Sequence, residues 1–256
     1  MFRREFLKRG GMLLGFTLTP GGLLTTFDAH ACGEEGDIDL NAWVHVSNSE
    51  NTITLKCPTA EMGQGIYTTI PLLIAEELDA DWRTIRVEQA PSDKAFINPE
   101  YFNVQGVGGS RSTQGYWRIA RLMGAQARAI LVANAAREWG VAVGECATEP
   151  NNVLHSASAR KMSFMQVAKL DNVVLDAPAL TEKDLKPASQ WRLLGKDVQR
   201  LDVPLKVTGA AKYGIDVQIP GMLLRRCCGR RWRPCRIRFM AMAPRTARLR
   251  LMMRLR

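Results

Sequence analysis

The stretch from Ser112 to Trp139 limits the folds open to this chain. Ile119, Met123, Ala127, Ile130 and Ala133 recur there at helical spacing, which predicts a long helix with one apolar face that other elements must cover. Gly140 is placed to stop it. A second helix is expected over residues 66–79, where Ile66, Ile70, Leu73, Ile74 and Leu78 share one face and Pro71 should kink the helix or mark a late start. Trp43, Val44 and Val46, then Ile53 and Leu55, flank the polar turn 47–51 and read as a β-hairpin. Ile85 and Val87 alternate with charge as a strand. Two short strands are expected around Asn151 and Asn152, followed by a small helix whose start is set by the capping-box pair Ser163 and Gln166. Helices combined with mostly hairpin-linked strands make an α+β fold.

The net charge of +10 suggests an anionic partner until its location is considered. Residues 224–256 contain twelve arginines and no Lys, Asp or Glu, so the total of +10 less these twelve leaves −2 on residues 1–223. The body of the chain is near neutral, and no nucleic-acid partner is expected for it. The tail shows no strand alternation, and arginine would lie on every face of its one helix-like stretch. Two readings stand: a tail translated out of frame and disordered, or a real basic arm of an exported binding protein. Of the six cysteines, three lie in this tail, and Cys32, Cys57 and Cys146 have no C-x-x-C spacing that would mark a metal or cluster site.

The first 31 residues read as an export signal. Arg3 and Arg4, followed by Phe6, Leu7 and Lys8, match the twin-arginine pattern, and Ala29-His30-Ala31 fits a small-residue cleavage site. Pro20, Gly21 and Gly22 interrupt the apolar stretch, which is too short to span a membrane. A periplasmic location, with possible membrane association, and passage through the twin-arginine machinery are therefore expected.

Two glycine clusters each stand at a helix entrance: Gly63-Gln64-Gly65, and residues 106–113 with Gly106, Gly108, Gly109, Ser110, Arg111, Ser112 and Thr113. Glycine lets backbone approach a ligand, and unpaired N–H groups at a helix start attract anionic oxygen. Ser110, Ser112 and Thr113 would add hydroxyls and Arg111 a charged fork, whereas Gln64 could meet a carbonyl or oxo group without net charge. Taken alone, each cluster is more often ordinary turn chemistry, and neither a G-x-G-x-x-G nor a P-loop pattern is present. His45 and His155 lack a second ligand at metal spacing, so no metal-ligating residue is assigned. The acidic run Glu76, Glu77, Asp79 and Asp81 reads as a solvated helix end.

Taken together, "EMGQGIYTTIPLLIAEELDADW", "GVGGSRSTQGYWRIARLMGAQARAILVANAA" and "RLDVPLKVTGAAKYGIDVQIPGML" resemble the molybdenum hydroxylases, the xanthine dehydrogenase and aldehyde oxidase superfamily, in its exported isoquinoline 1-oxidoreductase beta-subunit branch. The resemblance implies a molybdopterin-binding domain over 40–175 and the start of an a/b hammerhead domain over 198–223, set between the signal over 1–31, a linker over 176–197 read from its lack of periodicity, and the aberrant tail over 224–256. It implies that Gly63, Gln64 and Gly65 meet the pterin cofactor near the metal, and that Gly109, Ser110, Arg111, Ser112 and Thr113 bind the phosphates of its dinucleotide form, the cytosine one by analogy with bacterial relatives. The implied activity is oxidative hydroxylation of an N-heteroaromatic or aldehyde, with electrons passed to a small [2Fe-2S] subunit. The catalytic glutamate of such enzymes would lie beyond residue 256, so no catalytic residue is assigned and the chain is expected to be inactive alone.

Overall fold

The computed structural model describes residues 37–176 and 178–220, and the backbone of two short strand pairs outside them, 15–19 with 22–26 and 224–225 with 239–240. Arg3, Arg4, the expected cleavage site and Cys32 lie outside the described residues, as does the tail 224–256 apart from that second pair. Packing divides the chain into two units, residues 1–203 and 204–256.

The first unit starts with strands β1 (Ile38–Asn41), β2 (Val44–Ser47) and β3 (Thr52–Cys57), joined as antiparallel neighbours. Asn41 makes the tight β1–β2 turn, its Oδ1 accepting from Trp43 N (2.9 Å) and Val44 N (3.0 Å). After β3 the chain forms helix α1 (Ile66–Leu78) and returns as β4 (Ile85–Gln89), which pairs parallel with β3, Ile53 opposite Ile85 and Leu55 opposite Val87. A parallel pair needs a crossover, and α1 supplies it. Pro71 sits buried inside α1, which runs on through it. Helix α2 (Arg111–Trp139) follows, ended by Gly140 in the left-handed conformation. A small antiparallel sheet of β5 (Cys146–Glu149), β6 (Asn152–His155) and β7 (Arg160–Ser163) leads into the short helix α3 (Phe164–Ala168), which has the predicted capping box at Ser163 and Gln166. Strand β7 is absent from the sequence-based expectation because Arg160 and Lys161 face solvent and leave no apolar alternation to detect.

The core lies between the four-stranded sheet and the two long helices. Trp43, Val46, Ile53 and Leu55 are buried against Ile70, Leu73, Ile74, Tyr116, Ile130 and Leu131. Trp43 packs tilted against Phe96 and edge-on against Tyr116, with ring centroids 5.2 and 5.8 Å apart, and the Tyr116 hydroxyl donates to Phe96 O (2.6 Å). Where α1 and α2 meet, Gly124 allows contact: a Cβ there would stand 2.4 Å from Ile74 O.

The end of α1 corrects the sequence reading. Glu76 and Glu77, expected on a solvated face, are fully buried. Glu76 accepts backbone N–H bonds from Arg192 (3.0 Å), Leu193 (2.5 Å) and Leu194 (3.0 Å). Glu77 accepts from Arg121 Nε (2.8 Å) and from Lys186 N (3.1 Å). The Lys186 ammonium donates to Glu76 O (2.6 Å) and to Asp79, and the Arg121 guanidinium lies against the rings of Trp117 and Trp191, 5.6 and 5.5 Å from their centroids. Burial of these carboxylates is compensated by a segment more than a hundred positions away, which no local pattern announces. That segment, residues 186–194, falls within the stretch expected to be a linker, and it packs Leu193 and Leu194 into the core of this unit.

In the second unit, residues 211–217 form no strand but hold a 3₁₀ turn, Gly214–Asp216, closed by Asp216 N donating to Tyr213 O (2.8 Å) and by Tyr213 N donating to Asp216 Oδ2 (3.1 Å). A strand needs a neighbour for its ladder, and among the described residues none pairs with this segment.

Replacing Arg121 by Met leaves the Glu77 carboxylate buried with only the Lys186 N–H. The change is expected to lower unfolding stability by about 3–5 kcal/mol in a urea titration. An unchanged midpoint would show that Glu77 does not depend on Arg121.

Candidate cofactor-binding end of the helix pair

The two glycine clusters come to one end of the molecule because α1 and α2 run side by side in the same sense. Glu77 bonds Arg121, Ile74 and Glu77 flank Gly124, and Asp79 lies 3.7 Å from Arg128. From Glu77 with Arg121 to Asp79 with Arg128 the numbers rise together, and Thr148, beyond the end of α2, bonds Asp79 at the end of α1 (2.5 Å), so the starts at Ile66 and Arg111 share an end. A hydrogen bond from Gln105 Nε2 to Pro58 O (2.9 Å) joins the approach to the second cluster to the approach to the first.

The first loop, residues 61–65, puts Gly63 (φ +105°) and Gly65 (φ +86°) in left-handed backbone that other residues avoid. Its amides are not bare, contrary to the sequence expectation. Glu61 Oε1 accepts from Gly63 N (2.7 Å) and Gly65 N (3.0 Å), and Oε2 accepts from Tyr67 N in the first turn of α1 (3.0 Å). The chain thus supplies its own anion to this helix start. Burial raises the Glu61 carboxyl, but the N–H bonds from Tyr67, Gly65 and Gly63 outweigh it and hold the group below its ordinary value of 4.5. Arg200 covers the loop, its Nη1 donating to Gly63 O (3.2 Å) and Nη2 standing 3.5 Å from Glu61 Oε1, while Asp202 holds the guanidinium through Nε (2.9 Å) and Nη2 (2.7 Å). Gln64 remains exposed, with Oε1 accepting from Met62 N (2.6 Å) and Nε2 donating to Ala60 O (3.0 Å). Beside Gly63 there is open space where a side chain would otherwise stand.

The second loop differs in its electrostatics. Gly106 and Gly108 serve packing, since a Cβ would meet the Tyr101 ring at 2.7 Å at Gly106 and the Tyr101 hydroxyl at 2.5 Å at Gly108. Gly109 and Ser110 are both left-handed at φ +57° and turn the chain into α2. Asn98, fully buried, anchors the turn from beneath: its Nδ2 donates to Arg111 O (3.1 Å), its Oδ1 accepts from Glu100 N (2.9 Å), and Gly115 leaves room for it. Arg111 N donates to Gly108 O (3.1 Å), but among the described residues no side chain caps the first turn of α2, so the positive end of this long helix carries no resident anion. Gly109, Ser110, Arg111 and Thr113 are exposed there, and Ser112 is buried. Arg111 Nη1 donates to Glu100 O (3.4 Å) and stands 3.8 Å from the Glu100 carboxylate.

The remaining candidates are structural. His45 bonds Asp39 (2.9 Å), which raises its pKa, and His155 is buried between Ser158 (2.7 Å) and Glu145 (3.2 Å). Burial pushes the Cys57 thiol up. Among the described residues no three His, Cys, Asp or Glu side chains gather as a metal site.

The family model of the molybdopterin cofactor-binding domain matches residues 3–210. The chain belongs to that family. It is 36% identical to isoquinoline 1-oxidoreductase subunit beta of Brevundimonas diminuta, over 86% of this chain and 32% of the relative. It is 31% identical to a membrane-bound aldehyde dehydrogenase (pyrroloquinoline-quinone) of Gluconacetobacter polyoxogenes, over 86% of this chain and 28% of the relative. The chain therefore spans about a third of the length of these curated relatives. Among solved structures, quinoline 2-oxidoreductase from Pseudomonas putida 86 aligns with 49% of this chain and 15% of its own at 18% identity and a TM-score of 0.38. The family membership agrees with the resemblance carried by the sequence motifs. Sequence reasoning missed Glu61, Arg200 and Asp202. Glu61 had a local signal, a carboxylate a few residues ahead of a helix start, whereas Arg200 is brought in only by the fold.

Because the folded pKa of Glu61 is depressed, its bonds to the loop are present above pH 4.5 and are lost as pH falls through the folded value. The amide resonances of Gly63, Gly65 and Tyr67 are expected to titrate together, with a midpoint below 4.5. Independent titration of the three, or a midpoint above 4.5, would contradict the arrangement.

Proposed function

We propose that this chain is the N-terminal part of a molybdopterin-dependent oxidoreductase subunit, exported to the periplasm by the twin-arginine route. The whole protein oxidatively hydroxylates an N-heteroaromatic or an aldehyde and passes electrons to a small [2Fe-2S] subunit. The observation that carries the reading is the pairing of two unlike helix starts at one end of the fold, in a chain of this family. One, at Gly63, Gln64 and Gly65, is neutralised by Glu61 and offers a carboxamide beside open space. The other, at Gly109, Ser110, Arg111, Ser112 and Thr113, is uncapped and carries hydroxyls and a guanidinium. A pterin dinucleotide has both an uncharged polar part and an anionic pyrophosphate, so the residues fit such a group in two separate places.

In this reading Gln64 meets an uncharged oxygen close to the metal, with Gly63 leaving room for it. The amides and hydroxyls of 109–113, with Arg111, hold the phosphates of the cytosine dinucleotide form. When bound, the molybdenum cofactor supplies the oxidising centre and activates water for attack on an electron-poor carbon. This chain orients the cofactor, and we assign it no general base. Purified by itself it is expected to retain little molybdenum and to give no substrate-dependent dye reduction.

The test uses the ¹⁵N-labelled chain and inorganic pyrophosphate, then cytidine and guanosine diphosphates. Resonances of 109–113 are expected to shift, with cytidine diphosphate preferred. Arg111→Ala should weaken binding roughly 10- to 100-fold, the loss of a charge-assisted bond. Shifts at 63–67 without any at 109–113 would overturn the assignment.

A further inference from the structure

The first helix start raises a question that cofactor binding alone does not answer: why a chain that would hold an anionic ligand fills one of its two amide nests with its own carboxylate. Glu61 grips the loop from within, through Gly63, Gly65 and Tyr67, and Arg200 grips it from outside. The Arg200 guanidinium lies 3.5–3.7 Å from where a Gly65 side chain would begin, and is itself aimed by Asp202. Arg200 is linked to both partners of the grip at once, the carboxylate of Glu61 and the carbonyl of Gly63, which a planar fork can do and a point charge does less well. Between these clamps the loop presents Gln64 and Met62 exposed at its tip.

We propose that Glu61 and Arg200 are positioning residues for Gln64 and also set the ligand chemistry of this loop. They fix the carboxamide in place, and the resident carboxylate turns anions away from Gly63–Tyr67. This deepens the function proposed above and rests on it only where the destination of the anion is concerned. An anion excluded from the first helix start is left the uncapped second one, so the polarity of a two-part ligand on this end is decided by Glu61. The fixed loop also depends on residues 200–202, so a chain ended at residue 197 would keep the glycine motif but lose its clamp.

The experiment has two arms on the full chain. In the first, without ligand, hydrogen exchange of the Gly63, Gly65 and Tyr67 amides is measured in the wild type, Glu61→Gln, Glu61→Ala, Arg200→Lys and Arg200→Met. Exchange is expected to rise about tenfold or more in Glu61→Ala and Arg200→Met, less in Glu61→Gln, with Arg200→Lys restoring only part, while amides of the β1–β3 core stay as in the wild type. Unchanged exchange in both Glu61→Ala and Arg200→Met would overturn the clamp. If Glu61→Ala unfolds, Glu61→Gln and Arg200→Met carry the test. In the second arm, pyrophosphate is added to the wild type and Glu61→Gln. New shifts at 63–67 in the variant alone support exclusion by Glu61, and shifts there in the wild type overturn it. Because the first arm uses no ligand, its result stands whether or not 109–113 binds pyrophosphate.

Discussion

The close approach of α1 and α2 at Gly124 is the contact on which the rest of this structure depends. A single methyl group at that position would run into the Ile74 carbonyl at 2.4 Å, so the helices can touch backbone to backbone only because the residue is glycine. Their side-by-side course in one sense brings two helix starts, and with them two glycine loops, to a common end. Antiparallel helices would have sent the loops to opposite ends, where no single small molecule could meet both.

The same pair of helices explains why the unit extends to Val203. Glu76 and Glu77 are aimed away from the loops, and their burial is made tolerable by backbone N–H groups of residues 186 and 192–194 and by Arg121. The segment that compensates these carboxylates continues into Arg200 and Asp202, which reach the opposite end of α1 and close over Gly65. One excursion of the chain thus secures both ends of α1: by satisfying buried charge at one, and by clamping a ligand-facing loop at the other.

The two loops illustrate how similar sequence can give unlike chemistry. Each has glycine in left-handed backbone just ahead of a helix, yet one start holds a carboxylate and the other holds none. A helix dipole neutralised by Glu61 favours an uncharged partner, and an uncapped one favours an anion. The difference lies in a residue two places before the first glycine, outside the motif that draws attention.

Helix α2, the β2–β3 hairpin, the capping box at Ser163 and the glycine clusters were legible in the sequence, because each is dictated by contacts within a few residues: apolar spacing, turn chemistry and a cap. The family, too, was written in short motifs. Burial of Glu76 and Glu77, the incorporation of 186–194 and the grip of Arg200 on Gly63 were decided only by tertiary structure. Arg121 lies 44 positions from Glu77 and the other partners about 110 to 140 positions away, and a carboxylate near a helix end reads as solvated until the fold brings donors to it. Local periodicity reports which face of an element is apolar. It carries no information about which distant polar group will satisfy a charge, since that depends on where separate elements meet in space.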